Sequence, residues 1–143
     1  MVSKLSELLK EFDDKKYATS TGVAMHKKLR FVNIQDGDND IVKQIKLHPE
    51  LKMFFVPSAQ TEVPIAANIN GKFVSRRIDR MVVDDKNHIV HIVDYKTDVA
   101  KETFHDNYVS QLQEYISIVG KIYPNYKVYG YILWLHDWVL EKL

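Results

Sequence analysis

The chain has 143 residues, 45% hydrophobic and 27% charged, with 20 Lys and Arg against 19 Asp and Glu. That length and balance describe one globular domain, large enough to bury roughly 70% of its unfolded-chain surface without staples. The absence of cysteine excludes disulfides, cysteine–zinc centres, iron–sulfur clusters and thiol catalysis, and a net charge of +1 leaves any nucleic-acid binding to local basic patches.

In chain order, residues 2–14 place Leu5, Leu8, Leu9 and Phe12 on one stripe, which predicts an amphipathic helix without a signal-peptide core. Thr19, Ser20 and Thr21 are N-cap candidates for a second helix running to about Asn33. DGDND at 36–40 begins like a calcium loop, but Ile41 stands where the loop needs glycine and Leu47 where it needs glutamate, so it reads as a turn and helix N-cap. A short helix is expected next, and another after Pro49. The character then changes. Residues 61–67 and 73–83 read as strands joined by Asn70-Gly71, a strong hairpin signal. Residues 84–87 make a second turn, 88–96 a third strand, 105–122 a helix and 126–135 a fourth strand. The expectation is one α/β domain, helical over 1–57, with a mixed central sheet and helix over 58–143. No apolar run is long enough to span a bilayer and no GxxxxGK[ST] phosphate loop occurs. A cytoplasmic location with no membrane partner fits this pattern.

The chemistry-bearing stretch is VDYKTD at 93–98, at the end of an apolar strand. Residues two apart in a strand share a face, so Asp94 and Lys96 point one way and Tyr95 the other. Asp79, in RRIDRMVV on the preceding strand, falls beside Asp94 when the two pair as a hairpin. Two adjacent carboxylates repel unless neutralised, and a divalent cation is the usual partner. A neighbouring lysine then suits metal-assisted hydrolysis of a phosphodiester. Taken alone, Asp-x-Lys is more commonly a solvated pair, and a lone acid at a strand end a turn cap.

RRID, a turn, IVDYKTD, and then a helix carrying Tyr108-x-x-Gln111-x-x-x-Tyr115 resemble the PD-(D/E)XK nuclease superfamily. In particular they resemble the RecB-type nuclease domain at the C-terminus of AddA and RecB helicase–nucleases. Gly22-Val23-Ala24-Met25-His26 is similar to the family's upstream G-x-x-x-H helix, and the likeness runs over residues 20–136. It implies a restriction-endonuclease-like core and a magnesium- or manganese-dependent deoxyribonuclease acting in DNA repair or recombination. His26, Asp79, Asp94 and the Tyr95 carbonyl would hold the metal, although an imidazole suits manganese better than magnesium. Lys96 would act on water and phosphate. Gln111 and Tyr115, at i and i+4 on one helical face, would support the site or touch the DNA, and Tyr108, one turn earlier on the same side, is a DNA-contact candidate. Glu62 sits where the family often carries an acid, which implies a structural or second-metal role, although no special role is the favoured reading.

Arg76 departs from the family's glycine in G-x-I-D. Together with Arg77, Arg80 and Lys27, which flank Asp79 and His26, it is a candidate DNA-backbone contact; a solvated face explains each cluster separately. His88 and His91, three apart on a strand, point to opposite faces and are left out of the site. A separate helicase partner is one expectation for a chain lacking a motor. The competing reading is a non-catalytic nucleic-acid-binding domain that keeps the fold.

Overall fold

The computed structural model describes residues 25, 27–30, 32, 40–97 and 101–143. The expected helix over 2–14, the caps at 19–21 and most of the DGDND turn lie outside them. Residues 27–30 are helical, within the second expected helix. α1 (Asp40–Leu47) turns Val42 and Ile45 into the core, and its Asp40 lies in the first turn, where a negative charge complements the helix dipole. After Pro49 the expected helix shrinks to a single 3-10 turn, Pro49–Leu51.

Five strands follow in one sheet of order β1-β2-β3-β4-β5: β1 (Gln60–Ile69), β2 (Lys72–Asp84), β3 (Ile89–Lys96), β4 (Lys127–Trp134) and β5 (Val139–Lys142). β1, β2 and β3 pair antiparallel, β3 and β4 parallel, and β4 and β5 antiparallel. The sheet is therefore mixed, and the chain is α/β as its patterning predicts. Asn70 and Gly71 adopt φ of 52° and 76°, the left-handed pair that a two-residue hairpin requires for its twist. The parallel step needs a long crossover, which is α2 (Lys101–Ile122).

Side chains segregate by face. Val90 and Ile92 of β3 and Ile132 and Trp134 of β4 meet Leu112, Tyr115, Ile118 and Val119 of α2. Val93, Tyr95, Tyr131 and Leu133 point away from α2 and meet Leu29, Val42, Ile45, Phe54 and Phe55. Each such side chain contributes about 1.5–3 kcal/mol on burial. α2 lies very close to β4 at Gly130: a Cβ built there would stand 2.6 Å from Ile116 Cδ1 and 3.0 Å from Leu112 Cγ.

β5 was not anticipated. Trp138 takes φ of 58° and turns the chain back along β4. The new edge clamps the start of α2. Glu141 Oε2 lies 2.6 Å from His105 Nε2, and Asp137 Oδ2 accepts from Lys101 Nζ at 2.6 Å. Among the described residues no helix is long and apolar enough to cross a membrane.

Candidate active site

The β2–β3 ladder stops at Arg80 opposite Val93. One position further on, Asp79 and Asp94 continue the two strands at the same level. The Tyr95 N–H donates to Asp79 Oδ2 at 2.8 Å, so a side-chain carboxylate takes a backbone donor where the strands part. Asp94 is buried, 7% exposed, and faces α2. Lys96 Nζ lies 3.0 Å from its Oδ2. That oxygen is closed to water and has no well-directed hydrogen bond, so the ammonium neutralises it through space more than along a donor axis. Burial pushes the Asp94 carboxyl up to about 7, against the pull of Lys96 and with the help of Asp79's like charge.

α2 closes the site from above. Lys96 Nζ donates to Gln111 Oε1 at 3.2 Å, and Gln111 Nε2 donates to the Tyr115 hydroxyl at 3.0 Å. The i, i+4 spacing puts both side chains on one helical face. Tyr108, one turn earlier, holds its ring centroid 4.4 Å from Lys96 Nζ, a cation–π contact, and packs on Trp134. Burial raises the Tyr115 phenol well above its usual range, with Asp94 adding to the effect, which keeps it neutral. Asp79, Asp94, Lys96, Gln111, Tyr115 and Tyr108 thus form one cluster, while the Tyr95 ring lies on the opposite face.

Glu62 lies opposite Asp79 in the β1–β2 register, between the Thr61–Arg80 and Val63–Ile78 pairs. Its φ is 52°, a left-handed conformation that side chains other than glycine and asparagine seldom take. Its carboxylate turns to Arg30 and Arg77, 3.6 Å from each. Glu62 therefore kinks the edge strand beside the site and organises basic side chains.

The donor set suits a hard divalent cation: two carboxylates side by side, one of them buried with an unaligned oxygen. Among the described residues no three His, Asp or Glu side chains converge on one point. The dyad supplies two oxygens and the Tyr95 carbonyl is a backbone candidate. His26 lies outside the described residues.

The basic residues divide. Arg80, expected to contact DNA, is only 2% exposed and is an internal strut. It donates to the Tyr95 hydroxyl at 2.8 Å, to the Phe54 carbonyl at 3.0 Å, and to the Leu29 and Val32 carbonyls, with its guanidinium over the Phe55 ring. These four hydrogen bonds satisfy one hydroxyl and three carbonyls that burial would otherwise leave unpaired. A DNA phosphate cannot reach it. In the sequence nothing separates it from Arg76 and Arg77. Arg76 is half-buried and paired with Glu114, Nε to Oε1 at 3.0 Å. Arg77 and Lys27 are exposed. Glu114 and Glu141 have no motif to mark them; Glu141 also accepts from Trp134 Nε1 at 3.3 Å.

No protein-family model matches the chain, and no curated protein matches it.

Proposed function

We propose that the protein is a metal-dependent nuclease that hydrolyses DNA phosphodiester bonds by attack of water. The observation that carries this reading is the convergence of Asp79 and Asp94 with Lys96, itself held by Gln111 at 3.2 Å and capped by Tyr108 at 4.4 Å. A surface salt pair needs none of those supports. Asp79, Asp94 and the Tyr95 carbonyl would hold magnesium or manganese, with His26 as a fourth group on the strength of the sequence resemblance. The ion, when bound, supplies positive charge to the dyad and to the scissile phosphate.

The chain's own residues do the rest. Lys96 presents an ammonium beside the dyad, where it orients the attacking water and stabilises the charge that develops on the phosphate oxygens. Gln111 fixes that ammonium and Tyr115 fixes Gln111, so the group is held before substrate arrives. Tyr108 covers Lys96 and excludes water from one side. In this reading the chain works in DNA repair or recombination, by itself, beside a separate helicase or as part of a larger helicase–nuclease.

The test is cleavage of plasmid, linear duplex and single-stranded DNA with magnesium or manganese. Wild type cleaves, chelation stops it, and Lys96→Ala loses about a hundredfold or more with an unchanged circular-dichroism melt. Full metal-dependent activity in Lys96→Ala refutes the mechanism. Binding of DNA by clean wild type with no cleavage of any substrate favours the non-catalytic reading.

A further inference from the structure

A cleft of about 420 Å³ opens between the tip of the β1–β2 hairpin and α2. Ile69 and Val74 line its apolar part, and Lys72, Phe73, Arg76 and Glu114 line the remainder. Three features distinguish it from an ordinary surface dent. Phe73 is 69% exposed, an aromatic ring left in water at a hairpin tip. The cations outnumber the acids: Lys72 and Arg76 line the cleft, and Lys121 Nζ donates to the Asn68 carbonyl of the same hairpin at 3.1 Å. Among the described lining residues the one carboxylate, Glu114, pairs with Arg76 at 3.0 Å, which leaves Lys72 as the net positive charge of the cleft. The cleft also shares its strand, β2, with Asp79 of the candidate active site. Arg76 precedes Asp79 by three residues on β2, about 10 Å along the strand, and Phe73 by six, about 20 Å.

We infer that this cleft is a subsite for single-stranded DNA, in which Lys72 and Arg76 hold backbone phosphates and Phe73 stacks a base. An exposed aromatic within a basic rim is what sequence-tolerant single-strand binding requires, because every base has a π-face and every phosphate the same charge. Strand alternation puts Lys72 and Arg76 on the α2 side of the hairpin and Phe73 on its outer border. The DNA therefore passes over the hairpin tip, which a stiff duplex does poorly and a single strand does easily. The inference rests on the nuclease reading only for where the strand leads, toward Asp79 and Asp94. The binding itself stands apart from cleavage.

The experiment uses the full chain in EDTA, with fluorescence anisotropy of a labelled oligothymidine and of a duplex of equal length across a salt series. Lys72→Ala is expected to weaken single-strand binding several-fold and to reduce the slope of log affinity against log salt by about 0.7, one phosphate contact. Phe73→Leu is expected to weaken it at least about fivefold with an unchanged slope, whereas Phe73→Trp binds as wild type or tighter. The Phe73 side chain is mostly in water, so these changes leave the fold intact; thermal melts confirm this. Wild-type affinity in Lys72→Ala and Phe73→Leu overturns the inference, as does equal binding of duplex with equal losses. If wild type cleaves DNA while both variants bind normally, the subsite fails and the nuclease reading stands. If the variants lose binding and wild type never cleaves, the subsite stands and the nuclease reading fails.

Discussion

Replacing Asp94 by asparagine separates its cost to the fold from its use. The carboxyl sits in a buried position that raises it from an ordinary 3.8 to about 7. At about 1.4 kcal/mol per pH unit, that difference corresponds to at most about 4 kcal/mol. The sign follows from proton counting. Between pH 4 and 7 the unfolded chain has lost the Asp94 proton and the folded chain keeps it, so rising pH stabilises the unfolded state. Wild type is therefore most stable, from this group, below pH 4, and loses that contribution up to about pH 7. Asp94→Asn keeps a neutral side chain throughout. Urea unfolding at pH 4 should find the two proteins alike, and at pH 8 the variant should be the more stable by up to about 4 kcal/mol. Manganese should raise the melting temperature of wild type at pH 8 and leave Asp94→Asn unmoved, because an ion that binds the ionised dyad stabilises only the folded state. A stability difference that is constant with pH, or a variant less stable at pH 8, refutes the reasoning. An equal manganese shift in both proteins removes Asp94 from the ligand set.

Arg80→Ala strands several buried carbonyls and should cost more than about 3 kcal/mol in urea unfolding; a loss below about 1 kcal/mol would mean that the strut is dispensable. Arg80→Lys should recover little, since one ammonium lacks the planar fork that reaches four acceptors. Gly130→Ala drives a methyl into Ile116 and Leu112 and should destabilise by about 1–3 kcal/mol. Gly120→Ala, in α2 with nothing within 4 Å of its Cβ position, should stabilise by about 0.5–1 kcal/mol; the opposite order in thermal melts would contradict the helix–sheet approach described above. Glu141 raises the His105 imidazole, so Glu141→Gln should bring its titration midpoint back toward 6.5, read by proton NMR.

Hairpin chemistry at Asn70-Gly71, the alternation that separates Asp94 and Lys96 from Tyr95, and the i, i+4 pair Gln111 and Tyr115 were all legible, because each depends on neighbours within a few residues. The order of strands before and after one long helix likewise follows from local periodicity, and with it the α/β class. Four features were not legible. β5 exists because Trp138 turns the chain onto an open edge, and a four-residue strand carries too little pattern to announce itself. Arg80 looked like its neighbours Arg76 and Arg77; only packing shows that its donors are spent on carbonyls of residues 29, 32 and 54, brought near from far along the chain. Glu114 and Glu141 pair across elements and belong to no motif. The sequence determined which residues are able to do chemistry and on which face of which element they stand. Tertiary structure decided which of them meet, because burial at the end of the β2–β3 ladder turns Asp79, Asp94 and Lys96 from separate charges into one site, and turns an apparent surface arginine into part of the core.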